Sequence, residues 1–332
     1  MSEKILYALS ALFQIIQNFG KQKAIDKVQS IAIIKLDEIG DFVYALHIFD
    51  SFRIRFPKAK ITLVIKSFNK IFVENSEVDV VHQVSDLKKP VDLIIDLRGN
   101  LDSLLFAIKT NPKRYYGRGI VRIKNKFLGG QEHEVLTNWL IVKKLFSNVE
   151  MPHPRIITDS NNRNMVNSFL KNIQVVENEF VVIHPGARDE SRRWAKERYA
   201  ELTERLFETF KLSVIFVGST SEKSLVDSII QLSKVPCFSF VSANHSLLDF
   251  AHLSSLAKLF IGNESGPLHI ASTMGVRNIG LFGPGVKDVF YPLGVHSYVI
   301  HYFGDTDEEK LKSMTKIEVA EVVEKINKMF SK

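Results

Sequence analysis

The sequence predicts an α/β protein in two halves, each a mostly parallel sheet with helices on both faces. Three observations carry that prediction. Short apolar runs alternate with segments of helical spacing; many of these runs end on a glycine, proline or acidic turn; and the alternation halts at the polar, proline-punctuated stretch PHPRIITDSNNRN (Pro152–Asn164) before starting again. A parallel strand buried on both faces reads as a continuous apolar run, and its return connection is long enough to hold a helix, so this alternation is what a covered parallel sheet requires.

KILYALSALFQIIQNFGKQK opens the chain. Its most apolar part, Ile5 to Ile16, is too short to span a bilayer. As an export signal it has only Lys4 for a basic region and no small-x-small site after the apolar run. Ile5, Leu9, Leu12, Ile16 and Phe19 recur at helical spacing, with Lys21, Lys23 and Lys27 just beyond. The pattern predicts an amphipathic helix that either lies on a membrane face or packs on the protein's own body, and the sequence leaves both open.

SIAIIKL (Ser30–Leu36) reads as a buried strand, DEIGD as a turn, and FVYALHIFDSFRIRF as one helix ended by Pro57. KITLVIK, VDVVHQV and VDLIIDL read as further strands, with helical material at Leu101–Lys109 and Glu132–Phe146. Pro152–Asn164 is the linker. Beyond it come the strand FVVIH, the helix ERYAELTERLFETF, the strand LSVIFV, helices at Glu222–Leu232 and Leu247–Leu256, the strand KLFIGN, a helix at Pro267–Met274 and the strand RNIGLF. The tail from Asp307 reads as helix. The expected division is an amphipathic extension (1–30), a first domain (31–155), a second (156–306) and a C-terminal helix (307–332). In such a pair, ligands sit at the carboxyl ends of the parallel strands, in a cleft.

The chain has 332 residues, 45% of them apolar, enough for a core in each half. Its 44 Lys and Arg against 37 Asp and Glu give +7, which suits an anionic ligand or surface without choosing one. No zinc-finger spacing, Arg-rich arm or aromatic-interleaved basic tract is present, so nucleic acid is not an expected partner. The lone Cys237 excludes an intrachain disulfide and reads as a small core residue.

Three turns in the second half carry the chemistry. In HPGARDESRRW, Pro185 and Gly186 turn the chain after His184. Gly186 admits close backbone approach, and the amides with Arg188, Arg192 or Arg193 suit phosphate oxygens, unless the segment is only a tight turn with a solvated basic face. In FIGNESGPLHIASTMG, a polar loop of Asn263, Glu264, Ser265 and Gly266 meets a helix opened by Pro267, whose free amides suit an anion or sugar hydroxyls. Glu264 reads as a polyol acceptor or as a cap on the same amides; His269 faces the ligand or satisfies a core polar network. LFGPG closes a third strand.

In the first half, Asp41 of DEIGD stands at a helix start, as a general base for a hydroxyl substrate or as an N-cap, and Lys35 and Asp37 line the same mouth. No Walker loop, dinucleotide fingerprint, nucleophile elbow or His-Glu-x-x-His pair is present. Asp305–Asp307 (DTD) is the only divalent-ion suggestion and reads as loop.

From about Ile31 to Phe303 the chain resembles the ADP-heptose:lipopolysaccharide heptosyltransferases, glycosyltransferase family 9. The likeness rests on KLDEIGDFVYAL, HPGARDESRRWAKERYAEL, FVGSTSEKSL and FIGNESGPLHIASTMGVRNIGLFGP, in that order. It implies a GT-B architecture, two Rossmann-like domains facing across a cleft, and inverting transfer of heptose from ADP-heptose to the lipopolysaccharide inner core. By the same resemblance, Asp41 is the catalytic base, which puts Lys35 and Asp37, lining the same mouth, on the acceptor side. Donor binding falls to His184, Pro185, Gly186, Arg188, Arg192, Gly218, Glu222, Glu264, Ser265, Gly266 and His269, with Glu222 on the nucleotide ribose.

This sequence departs from the family at Arg192 and Glu264, where lysine and aspartate are usual, at Ala195 for a proline, and at Gly285 for a threonine. No metal or cofactor is expected, the nucleotide sugar being a substrate. Closing of the domains would exclude water, and a lipid-linked acceptor implies a cytoplasmic enzyme peripheral to the inner membrane. The rival readings are a same-fold transferase using another nucleotide sugar for O-antigen or capsule, a non-catalytic nucleotide-sugar-binding or assembly protein, and a sugar-nucleotide epimerase.

Overall fold

The computed structural model describes residues 2–19, 28–88, 90–128, 132–146, 149–284, 287–294 and 296–331. Lys21, Lys23, Lys27 and Gly285 lie outside them. The chain divides into two compact units, Met1–Arg155 and Ile156–Lys332.

The first unit runs α1 (Glu3–Asn18), β1 (Ser30–Lys35), α2 (Ile39–Val43), α3 (Leu46–Arg55), β2 (Lys60–Ile65), β3 (Asp79–Val81), β4 (Leu93–Asp96), α4 (Leu101–Thr110), β5 (Arg114–Gly117), α5 (Arg118–Leu128) and α6 (Glu134–Val142). Its five strands are parallel in the order β3-β2-β1-β4-β5. The chain therefore moves outward from β1 to β3, then returns to start again beside β1. That reversal between β1 and β4 opens a crevice at their carboxyl ends, where Lys35 and Asp96 finish. Ala32, Ile34, Val64 and Ile94 bury one sheet face together with Leu104 and Ala107 of α4.

Several expectations change here. The single helix predicted after DEIGD is two, because Ala45 N–H bonds Phe42 O, three residues back, while Asn138 Nδ2 donates to Tyr44 O at 3.4 Å. β5 and α5 were not anticipated, the strand being only RYYG. α1 packs on α5 and β5, on the body of its own unit.

The second unit runs α7 (Ser160–Asn172), β6 (Phe180–His184), α8 (Lys196–Phe210), β7 (Ser213–Phe216), α9 (Lys223–Leu232), β8 (Cys237–Ser239), α10 (Leu247–Leu256), β9 (Leu259–Asn263), α11 (Gly266–Thr273), β10 (Asn278–Phe282), α12 (Lys287–Phe290), β11 (Ser297–His301), α13 (Asp307–Leu311) and α14 (Val319–Phe330). Six parallel strands stand in the order β11-β10-β9-β6-β7-β8, with the reversal between β6 and β9. The predicted linker loses its last residues to α7, whose N-cap Asp159 accepts from the Asn161 and Asn162 amides in a capping box. The tail is interrupted: Trp194 Nε1 donates to Ile317 O at 3.0 Å, just before α14. Val322, Ile326 and Met329 of α14 then enter the core with Leu206 of α8. Asp305–Asp307 is occupied by a helix start, Thr306 capping α13 and the Asp305 amide donating to Glu309.

Candidate functional site

In the second unit the reversal point gathers the predicted turns. His184 pairs with Gly262 in the β6–β9 register, so the loops after His184 and Asn263 leave the sheet side by side. Asn263 ties them together. Its Nδ2 donates to Pro185 O (2.8 Å) and Gly186 O (3.2 Å), and its Oδ1 accepts from Tyr199 OH (2.9 Å) and Trp194 N–H (3.3 Å). All four hydrogen-bonding positions of this buried amide are thus used, which fixes its orientation and both loops. In the sequence Asn263 is legible only as a loop residue, because four partners scattered along the chain cannot be read locally.

Around this brace lie the charged groups. Arg192 Nη1 stands 3.4 Å from Glu264 Oε1, the carboxylate buried and the guanidinium partly open to solvent. Ser265 Oγ is 3.2 Å from His184 Nδ1, and His184 Nε2 is 3.5 Å from Glu222 Oε1. Burial alone would raise the Glu222 carboxyl. The hydrogen bond and charge of His184, and donation from the Ser219 amide and hydroxyl, outweigh it and hold the group at about 2. Gly218 lies beneath the same side chain: a Cβ there would be 3.3 Å from Glu222 Cβ and Oε2. Arg193 Nε donates to Ala187 O and so shapes the turn, while Arg188 is exposed on it. Gly266 opens α11. His269, three residues on, is buried with its ring 6.4 Å from that of Phe290. The structure thus brings His184, Pro185, Gly186, Arg192, Gly218, Glu222, Glu264 and Ser265 into one linked array, and turns His269 into the interior.

In the first unit, Lys35 is wholly buried. Its ammonium lies 3.1 Å from Asp37 Oδ2 and 2.9 Å from Glu134 Oε1. Arg118 also binds Glu134 and donates to Asn138 Oδ1 at 3.1 Å, and Arg98 binds Asp37. Lys35 therefore offers no surface to an acceptor as placed; it acts on its neighbours through charge.

Asp41 sits in the first turn of α2, the N-cap position being Glu38. Burial pushes the Asp41 carboxyl up to about 6, helped by the negative Glu134 and Asp37 and opposed by Lys35 and Arg118. Burial also acts on Glu134, but Lys35 and Arg118 override it and hold this carboxylate at about 2. Two carboxylates near one another are thus driven apart, which leaves Asp41 the one able to exchange a proton near neutrality. Glu134, Arg118 and Arg98 were not foreseen. The strand-end glycine of YYGRG was the one available signal, and it pointed at Arg118.

Among the described residues no helix is long and apolar enough to cross a membrane, and no group of three or more His, Cys, Asp or Glu is placed to hold a metal ion.

The model of the family described as Glycosyltransferase family 9 (heptosyltransferase) matches residues 84–319. The matched stretch contains the whole second-unit array and starts after Asp41. A relative named lipooligosaccharide heptosyltransferase 2, from Campylobacter jejuni, is 23% identical over 229 residues, 65% of this chain and 66% of the relative. A family 9 glycosyltransferase structure from Veillonella parvula superposes with a TM-score of 0.74 at 16% identity, covering 91% of this chain and 97% of that one. The E. coli ADP-heptose lipopolysaccharide heptosyltransferase II does so with 0.69 at 17%, covering 91% and 98%. These likenesses establish a shared fold, the two-Rossmann-domain GT-B class.

Proposed function

Because the chain belongs to glycosyltransferase family 9, and is a glycosyltransferase on that ground, we propose that it transfers heptose from ADP-heptose, with inversion, to a lipopolysaccharide core or related cell-surface glycan. The observation that carries the mechanism is the Asp41 carboxyl, lifted to about 6 by burial at the carboxyl end of a central strand. A base that is ionised at neutral pH, yet has not lost its proton affinity, suits abstraction from a sugar hydroxyl.

In the proposed reaction Asp41 takes the acceptor hydroxyl proton as that oxygen bonds to the anomeric carbon, opposite the nucleotide. The anomeric C–O bond breaks and its electron pair leaves on the diphosphate. Arg192, the Gly186 turn amides and the start of α11 at Gly266 are assigned to the departing charge, since fixed donors need no reorganisation as it develops. Glu222 is assigned to the ribose hydroxyls and Glu264 to the donor sugar. A lipid-linked acceptor would bring the enzyme to the cytoplasmic face of the inner membrane. The names of the C. jejuni and E. coli proteins support this choice of donor and acceptor.

A second reading keeps the chemistry and changes the sugar, for O-antigen or capsule. It is favoured by Glu264 and Arg192, which stand where family members usually have aspartate and lysine and which contact one another at 3.4 Å. The planar guanidinium fork and the longer carboxylate present a different polar surface. Thermal unfolding with a panel of nucleotide sugars separates the readings, because a ligand of the native state raises the midpoint by mass action. ADP-heptose is expected to protect most; greater protection by a UDP-, GDP- or dTDP-sugar would overturn the first reading in favour of the second. Protection by no nucleotide sugar would defeat both.

A further inference from the structure

α1 has two unlike sides: inward, Leu6 and Phe13 pack on the core beside a set of polar side chains, while the outward side is apolar and exposed. Its polar side chains face the protein: Gly117 N–H donates to Gln14 Oε1 (3.0 Å), Asn18 Nδ2 donates to Tyr115 O (2.8 Å), and Tyr115 N–H donates to Asn18 Oδ1 (3.3 Å). Gln17 Nε2 donates to Asn111 Oδ1 at 3.1 Å, and Ser10 Oγ lies 3.1 Å from Tyr115 OH. β5 is the sheet edge, so these side chains complete hydrogen bonding that an edge strand otherwise leaves open. The rotation of α1 is pinned as well, since a Cβ on Gly119 would lie 2.5 Å from both Ala11 N and Tyr7 O. The helices therefore meet backbone to backbone.

The consequence is an outward apolar stripe. Ile5, Leu9, Leu12, Ile15 and Ile16 are 45% to 61% exposed, and Phe19 is 80% exposed. The neighbouring α4 adds Leu101, Leu105 and Ile108 at helical spacing, all exposed, and α5 adds Ile120 and Phe127, the latter 85% exposed. From Ile5 to Phe19 there is no charged residue, while α5, RGIVRIKNKFL, carries basic residues and no acidic one. A surface helix normally has one apolar side, turned inward; α1 packs Leu6 and Phe13 inward, and the hydrogen bonds to β5 and the Gly119 contact fix the rotation that leaves its second apolar stripe outside.

We infer that the outward face of α1, α4 and α5 is a docking surface for an anionic phospholipid bilayer. Apolar side chains enter the acyl boundary, and the exposed Lys109 and Lys124 at the border of the surface meet lipid phosphates. Charge complementarity selects this occupant: the uncharged stripe of α1 is bordered by the exposed cations Lys109 of α4 and Lys124 of α5, the latter between Ile120 and Phe127 on one face, which fits a hydrocarbon layer under a negative surface. The partner is named from this surface alone, independently of the sugar transferred.

The test is co-sedimentation of the full chain with vesicles of phosphatidylglycerol and phosphatidylethanolamine, against phosphatidylcholine alone. Wild type is expected to pellet with the anionic vesicles, less so at high salt. Leu9→Glu/Leu12→Glu, and separately Leu105→Glu/Ile108→Glu, are expected to lower the partition coefficient about tenfold or more, with unchanged unfolding midpoints because all four positions are exposed. Wild type remaining in the supernatant, or variants that pellet equally well, would overturn the proposal. So would sedimentation equilibrium showing a wild-type dimer that these variants dissociate, which would assign the face to a second copy. The vesicles carry no saccharide, so failure here leaves the transferase reading intact, and absence of sugar transfer leaves this one intact.

Discussion

Gly186 and Glu222 compete for the same space: a Cβ on Gly186 would lie 1.7 Å from Glu222 Oε1. The glycine thus lets the carboxylate fold back over the turn toward His184 and the Ser219 amide. Since the clashing atom is the end of a flexible side chain, Gly186→Ala is expected to fold, at a cost of about 1–3 kcal/mol as Glu222 is expelled from its bonds to Ser219 and His184. Steady-state kinetics should show donor KM rising about tenfold with kcat less affected, as for loss of a ground-state contact. An unchanged donor KM would remove Glu222 from the donor site.

Asp41 carries a prediction of opposite signs. Asp41→Asn is expected to lower kcat by about 10²- to 10⁴-fold with donor affinity retained. It should also make the protein more stable at neutral pH. Folding raises the Asp41 pKa from 3.8 to about 6. The folded state therefore binds this proton more tightly than the unfolded one, and the resulting stabilisation, complete below about pH 4, is lost as pH rises through about 6. At pH 7 to 8 the ionised group weakens the fold by an order of 1 to 3 kcal/mol, which asparagine removes. Urea titration of both proteins across this range checks the sign, and kcat/KM of wild type should rise with pH through an apparent pKa near 6.

Glu134 touches no substrate in the proposed scheme, yet it sets the charge around Asp41. Glu134→Gln leaves Lys35 and Arg118 as buried cations with one counter-charge fewer, at a cost of about 3–5 kcal/mol. Removing a negative neighbour also lowers the Asp41 pKa. The acid limb of the kcat/KM profile should therefore move to lower pH, a shift that destabilisation alone would not produce.

Asn263→Asp replaces the amide that donates to Pro185 O and Gly186 O with a carboxylate facing the same carbonyls. Two buried acceptors lose their partner and gain a repulsive one, so a loss of about 3 kcal/mol or more is expected in urea unfolding. Donor protection against heat should fall with it, because the two loops are no longer braced together.

Much of this protein was legible from local pattern. Apolar runs ending on HPG, GNESG and LFGP marked strand ends, and strand ends in a parallel sheet share one rim; that is why the residues of these turns could be named before their contacts were known, whereas Glu222 is legible only through the family likeness. The family likeness rested on the same segments. The array's brace, Asn263, was visible only as a loop residue, because its partners at Pro185, Gly186, Trp194 and Tyr199 come from separate elements.

By itself the sequence determined the α/β alternation, the turns at which phosphate-seeking groups could collect and the presence of an amphipathic helix at the start. The tertiary structure decided that Lys35 is interior, that Glu134 and Arg118 close a charged cluster around Asp41, and that α1 turns its amides inward and Ile5, Leu9, Leu12, Ile15 and Ile16 outward. The division has one cause. Periodicity and turn chemistry act between neighbours a few residues apart, whereas charge burial and helix facing depend on what lies opposite. For α1 that is β5, about a hundred residues further along, with backbone groups that the Gln14 and Asn18 side chains meet.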